Sequence, residues 1–421
     1  MHNRQAVKAV RPKKEKMTRL KHIAFLFTAA LLMGPVLMGA CEKTAADPVP
    51  GNGKVEKIIA EEGYFDGPYI LYQGDEAEIV RVTPTGDGAM LTLETVPVAE
   101  LRSGPIDVFP TEDGEDGQRL KPFQVTLFDY EADDQWDYEQ PEKIFAISDI
   151  ECSFSNTEAI LRAGGVIDTD YNWTYGTNHL VVNGDMFSRG YDMMALLWLL
   201  YKLDYEARQA GGMVHIIIGN HEAMNLKADV RYVRPRYLEF VEASGIPYIR
   251  LFDEDTELGR WLRTKHTIIR IGRNLVVHGG ISPQFLELGL SPVEVNRIVR
   301  RDLGKQTAEL DEVSREVFGS LGPHWYRGMV HTTENRHPVF AEDMPPLLAH
   351  YDVDRFIVGH CKGENVFKLR DRKVVVIDVH HTNNRAEGRA RALKIERTGN
   401  TERLTRVKDN GVREAIEVIT D

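Results

Sequence analysis

The chain has 421 residues, 42% hydrophobic and 28% charged, which is material for one large domain or two smaller ones with a substantial core. Its formal charge is −12, and acidic residues cluster in loops such as Glu112-Asp-Gly-Glu-Asp116 and Glu131-Ala-Asp-Asp134. With no basic stripe to offset them, the composition argues against a nucleic-acid binder, because phosphate neutralisation needs clustered Lys and Arg.

Residues 1–40 read as a targeting segment. Basic residues Arg11, Lys13, Lys14, Lys16, Arg19 and Lys21 precede an apolar run from Ile23 to Met38, and Gly39-Ala40 lead into Cys41. That run is short for a stable membrane span and has the layout of a secretory signal. Leu37-Met-Gly-Ala-Cys41 is similar to a bacterial lipobox, although Met38 stands where a small residue is usual, and predicts lipidation of Cys41. The expected location is therefore the cell envelope, anchored by lipid to a bacterial membrane and facing the periplasm or the outer surface. Residues 41–53 carry Pro and Gly and read as a tether. Between 54 and 140, the runs Tyr69-Ile-Leu-Tyr, Glu78-Ile-Val-Arg-Val, Ala89-Met-Leu-Thr-Leu and Gln124-Val-Thr-Leu-Phe are separated by Gly, Pro and Asp turns. They predict a small β-rich module with no catalytic constellation of its own.

From Lys143 the pattern changes to strands alternating with helices. Five apolar, mostly β-branched runs each end in Asp, Asn or His: Phe145-Ala-Ile-Ser-Asp149, Leu180-Val-Val-Asn-Gly-Asp185, Ile216-Ile-Ile-Gly-Asn220-His221, Leu275-Val-Val-His278 and Phe356-Ile-Val-Gly-His360. Between the second and third, Tyr191 to Gln209 places Met194, Leu197, Trp198, Tyr201 and Tyr205 at helical spacing and stops at Gly211-Gly212. Asp149 and Asp185 are 36 residues apart, and Asp185 and Asn220 are 35 apart, each the length of one strand-helix-strand unit. Val374-Val-Val-Ile-Asp-Val379 is a further buried strand closing a catalytic region of 143–382. A terminal hairpin is expected within 383–421, from Arg391-Ala-Leu-Lys-Ile-Glu through Thr398-Gly-Asn-Thr to Arg403-Leu-Thr-Arg-Val.

A strand holds its last residue rigidly while the following loop exposes it. Carboxylates, imidazoles and an amide gathered at such ends suit two divalent ions that clamp a phosphoryl group. The motifs resemble those of the calcineurin-like metallophosphoesterases. Within that superfamily they are most similar to the bacterial Shewanella-like phosphoprotein phosphatases, through segments including Gly219-Asn-His-Glu-Ala-Met-Asn-Leu226, Asp229-Val-Arg-Tyr-Val, His278-Gly-Gly-Ile-Ser-Pro283 and Trp325-Tyr-Arg-Gly328. The resemblance implies an α/β fold, a two-sheet sandwich flanked by helices, here preceded by the β-rich module. It implies that Asp149 binds a first metal, Asp185 bridges two, and Asn220, His278 and His360 bind the second. His221 would protonate the leaving oxygen, and Arg189 and Arg327 would hold phosphate oxygens in a guanidinium fork.

Two positions depart from the family pattern. Glu151 stands where a His ligand is usual; as a ligand it adds negative charge, favours manganese or magnesium over zinc and predicts a more alkaline optimum. Iron remains an alternative metal. Ser188 stands where an Asp commonly orients the catalytic His, so a His221 imidazolium would be less stabilised. Of the other histidines, His380 or His381 is a candidate replacement ligand, while His215, His266, His324, His331, His337 and His350 are read as structural or superficial. Cys152 and Cys361 each follow a proposed ligand, and both a disulfide and two separate buried thiols fit the sequence. The expected activity is a metal-dependent phosphatase acting on phosphomonoesters, phosphoproteins among them, by direct attack of metal-bound hydroxide. A phosphodiesterase acting on nucleotides or phospholipid head groups, and a degenerate binding module, are the alternatives.

Overall fold

The computed structural model describes residues 64–86, 88–113, 119–371, 373–379 and 390–420, together with the backbone of Val55–Ile59. The predicted signal segment, Cys41 and the tether lie outside the described residues, as do His380 and His381.

Two six-stranded sheets face each other. The first runs Met213–Ile216, His179–Val182, Lys143–Ile147, Arg391–Thr398, Thr401–Lys408 and Arg413–Thr420. The second runs Phe367–Leu369, Val374–Val376, Arg355–Val358, Asn274–Val277, Ile268–Ile271 and Asp137–Tyr138. The site-bearing strands pair in parallel within each sheet, His179–Val182 with both Lys143–Ile147 and Met213–Ile216, and Arg355–Val358 with both Asn274–Val277 and Val374–Val376. Parallel pairing aligns their C-terminal ends along one edge.

Both faces of these strands are buried, which is why their sequences are continuous apolar runs rather than alternating ones. Ile144, Ala146, Val181, Val276, Ile357 and Val375 fill the space between the sheets. Their neighbours Phe145, Ile147, Leu180, Val182, Leu275, Val277, Phe356, Val358, Val374 and Val376 join a larger core under the helices. The predicted helix occupies Met193–Gln209, beginning two residues later than its apolar pattern, and buries Trp198 and Tyr201 completely. It makes the connection between the strands His179–Val182 and Met213–Ile216 that the spacing called for. The C-terminal region contributes more than a hairpin: Arg413–Thr420 adds a third antiparallel strand, and all three extend the first sheet from Lys143–Ile147.

The β-rich region forms an antiparallel sheet of Val55–Ile59, Gly88–Pro97, Glu76–Thr85 and Asp66–Gln73. It shares the larger core with the catalytic region. Trp198 donates its indole N–H to the Pro68 carbonyl at 2.9 Å, and Tyr69 stacks on Phe240 with centroids 4.6 Å apart. Asp137–Tyr138, at the end of the region read as a separate module, pairs with Ile268–Ile271 on the edge of the second sheet. Among the described residues no helix is long and apolar enough to cross a membrane.

Candidate metal centre and phosphate pocket

The five strand-end motifs meet where the two sheets converge. Ser148 of the first sheet and Asp378 of the second form a parallel bridge there. The loops that follow the strands turn sharply, and Asp149, Asp185 and His360 all adopt left-handed backbone conformations (φ 54°, 54° and 61°). Such conformations are sparsely populated outside glycine and need support from their surroundings.

Glu222 provides that support at Asp185. Its buried carboxylate accepts the amide N–H groups of Gly219 (2.7 Å), Asp185 (2.9 Å) and Met186 (2.7 Å). Burial, with Asp185 beside it, pushes the Glu222 carboxyl up to about 7. Glu222 therefore fastens the start of the Asn220–Leu226 helix to the Asp185 turn and does not serve the His221 ring. Close approach also fixes two glycines: a Cβ on Gly359 would meet Asp149 Oδ2 at 2.6 Å, and one on Gly219 would meet Asp185 Oδ1 at 2.6 Å.

Asp185, His278 and His360 offer ligand atoms within 4.8 Å of one another, all buried. His278 Nδ1 lies 2.7 Å from the Asn183 carbonyl, so it carries the proton and Nε2 faces the centre. There Nε2 meets only acceptors, Asp185 Oδ1 at 3.2 Å and Asn220 Oδ1 at 3.0 Å. Burial disfavours a charged His278, yet the Asp185 and Asp149 carboxylates overcome it and push the imidazole up to about 10. The position demands positive charge, and a divalent cation meets that demand without a proton. His360 places Nε2 on the Trp325 carbonyl at 3.2 Å, which turns Nδ1 toward the same centre. Orienting the second ring nitrogen in this way is how proteins fix an imidazole for a metal. The donor set therefore fits a bound divalent ion. Asp149 accepts Ser148 Oγ (2.6 Å) and the His360 amide (3.1 Å) on Oδ2, and burial pushes its carboxyl up to about 6.

The structure brings the catalytic candidates to this edge. His221 Nε2 is 3.7 Å from Asp185 Oδ2, and its own amide donates to Asp185 Oδ1 at 2.9 Å. Among the described residues its buried Nδ1 has no hydrogen-bond partner. Ser188, in the place of the family's orienting Asp, instead accepts from Asn225 Nδ2 at 3.1 Å. Burial lowers the His221 pKa, with Asp185 opposing. Arg189 is held by the Glu151 carboxylate and lies under the Tyr232 ring, 5.1 Å from its centroid. Arg327 donates to the His360 carbonyl at 2.5 Å. Glu151 is buried, and its Oε1 also faces Lys362 Nζ at 3.4 Å. The negative charge that Glu151 adds to the centre therefore arrives with two cations of its own. Cys152 and Cys361 are separate free thiols, both buried.

The partners of Glu222, which stands beside His221 in its motif, were not readable from sequence, and three further residues near the centre escaped it altogether. Tyr232 lies inside a motif segment but carries no distinctive spacing. Lys362 follows the His360 motif by two residues. Asp378 had a visible signal: it ends the apolar run Val374-Val-Val-Ile, a sixth case of the pattern that marked the other five.

Comparison with known proteins agrees with this geometry. The calcineurin-like phosphoesterase family profile matches residues 142–361. A Shewanella-like protein phosphatase 2 from Arabidopsis thaliana is 26% identical over 313 residues, covering 62% of this chain and 76% of its own. An uncharacterised Schizosaccharomyces pombe protein is 30% identical over 250 residues, covering 56% and 73%. Among solved structures, a cold-active protein-tyrosine phosphatase of a psychrophilic Shewanella species superposes with a TM-score of 0.69 at 30% identity, over 84% of this chain and 100% of that one. With the profile spanning over half the chain and the strand-end motifs gathered where the two sheets converge, this chain belongs to the calcineurin-like phosphoesterases, metal-dependent hydrolases of phosphoric esters.

Proposed function

We propose that the protein is a phosphatase of the cell envelope, lipid-anchored through Cys41, that hydrolyses phosphomonoesters, including phosphoproteins, at a site for two divalent ions with manganese preferred. The convergence of Asp185, His278 and His360 beside His221 and Arg189 is the observation that carries this reading. Asp149, Asp185, Asn220, His278 and His360 would hold the ions. Bound divalent ions supply positive charge for the phosphoryl oxygens and lower the pKa of water.

The protein's own groups do the rest. Arg189 and Arg327 would hold the phosphate oxygens, each guanidinium offering a fork of N–H donors. Their fixed partners, Glu151 and the His360 carbonyl, hold them in position before substrate arrives. His221 Nε2 delivers a proton to the leaving oxygen; Asp185 Oδ2 lies 3.7 Å from it, while Nδ1 has no hydrogen-bond partner among the described residues. The envelope location rests on the basic-then-apolar 1–40 segment and its Cys41.

Phosphate release from para-nitrophenyl phosphate, compared with hydrolysis of bis-para-nitrophenyl phosphate, tests the reading. Faster monoester turnover, reduced about 10²–10⁴-fold in kcat by His221→Ala, is expected. Faster diester turnover would replace the monoester assignment. Cys41→Ser should move the protein from the membrane to the soluble fraction, and unchanged fractionation would remove the lipid anchor.

A further inference from the structure

The end of the Val374–Val376 strand carries a group without an assigned task. Asp378 is completely buried, and among the described residues neither of its carboxylate oxygens has a hydrogen-bond partner. Its backbone pairs with Ser148, the residue preceding Asp149. The charged groups that act on it most strongly are Asp149 and Lys362, followed by Asp185. Its carboxylate therefore faces that of Asp149.

A buried carboxylate with no donor is costly unless something positive satisfies it. Lys362 is the nearest candidate, but its amine is 3.4 Å from Glu151 Oε1. Glu151, for its part, is engaged by Arg189 as well as Lys362. The two carboxylates on this side thus differ: Glu151 makes ion pairs with both cations, whereas Asp378 feels Lys362 without a hydrogen bond to it among the described residues.

We propose that Asp378 is a ligand of the first divalent ion, joining Asp149 and the bridging Asp185, while Glu151 serves to hold Arg189. This rests on the two-ion reading above. A cation between Asp149 and Asp378 answers both carboxylates at once and uses oxygen donors only, a set that suits manganese or magnesium better than a thiophilic metal. It also accounts for the vacated His position: the missing nitrogen is replaced from the neighbouring sheet rather than by the residue that took its place in sequence. The competing arrangement is a proton shared between Asp149 and Asp378, in which Asp378 has no part in metal binding.

Calorimetric titration of the metal-free full-length protein with manganese chloride separates these arrangements, with bound metal counted by elemental analysis. Wild type and Glu151→Gln should each take up two ions. Asp378→Asn should keep the second-site affinity and lose at least about tenfold at the first, because even outer-sphere groups are worth about 10–100-fold in metal affinity. Two ions at unchanged affinity in Asp378→Asn, or loss of the first ion in Glu151→Gln alone, would overturn the assignment. A wild-type protein that binds a single ion would instead overturn the two-ion reading and this proposal with it. Should Asp378→Asn fail to fold, as judged by its metal-free melting curve, anomalous diffraction from manganese-loaded wild-type crystals decides. An ion within bonding distance of Asp378 upholds the proposal, and an ion bound by Glu151 and remote from Asp378 refutes it.

Discussion

At the scale of single residues, the centre depends on side chains that touch no substrate. Glu222 accepts three short amide hydrogen bonds from Gly219, Asp185 and Met186. Leaving a buried donor unsatisfied costs about 1–3 kcal/mol. Glu222→Ala should therefore lower unfolding free energy by about 3 kcal/mol or more, read from the urea midpoint, and weaken manganese binding because the Asp185 turn loses its support. A variant as stable as wild type would show that the left-handed turn holds itself. Tyr232 makes a different kind of contribution. Its half-exposed ring lies against Arg189 and 5.3 Å from the His221 ring, at the mouth of the pocket. An aryl leaving group would rest on it, so Tyr232→Ala should raise KM for aryl phosphates several-fold while leaving alkyl phosphates nearly unchanged; equal effects on both would assign Tyr232 to Arg189 positioning alone. The ligand candidates were legible in sequence because each ends a buried run, a pattern with a direct structural cause. Glu222 was not, since which amides a carboxylate captures depends on the Asp185 turn, 37 residues upstream. The Glu151 reading shows the same limit: its position was clear, but its partners, Arg189 and Lys362, come from other loops.

Among the elements, the apolar strands were readable and their limits nearly so, because burial on both faces leaves a continuous β-branched signature. Less legible were pairings between strands remote in sequence, such as Asp137–Tyr138 with Ile268–Ile271, or the extension of the first sheet by Arg391–Thr398. His215 was read as structural or superficial and His179 was not singled out, yet the pair they form has consequences. His215 Nε2 lies 3.1 Å from His179 Nδ1 across the parallel strands, and the Tyr138 ring packs 4.5 Å from His215. Burial lowers the His179 pKa to about 4 and pushes His215 well below its ordinary value, with His179 adding repulsion. Both bases bind protons more weakly folded than unfolded. The unfolded chain takes up more protons as pH falls from about 6.5 toward 4, so the stability they contribute above that range is lost within it. Urea unfolding at pH 7 and pH 5 should show a smaller loss for a His179→Gln, His215→Gln double variant than for wild type. Equal losses would mean that the pair is not the acid-labile element.

For the molecule as a whole, the β-rich region and the catalytic sandwich are linked by more than chain connectivity. Asp192, at the start of the Met193–Gln209 helix, accepts the Thr111 and Glu112 amides at 2.8 Å each. Tyr72 and Tyr201, one from each region, both donate to the Glu257 carboxylate. Trp198 and Phe240 are covered by Pro68 and Tyr69. A fragment beginning at residue 143 should therefore lack a cooperative melting transition, and one that melts near the full chain's midpoint would make the β-rich region a dispensable addition. Sequence reading separated the two because their local patterns differ, while the shared core between them is a long-range feature that composition does not mark. The whole account turns on strand ends from two sheets forming one metal-dependent phosphatase centre. Its most direct test is turnover of para-nitrophenyl phosphate by the purified protein after chelation, after readdition of manganese, magnesium or zinc, and in Asp185→Asn. Activity that vanishes with the metal, returns best with manganese and is absent in Asp185→Asn is the predicted result. Turnover that survives complete chelation, or that Asp185→Asn leaves intact, would contradict it.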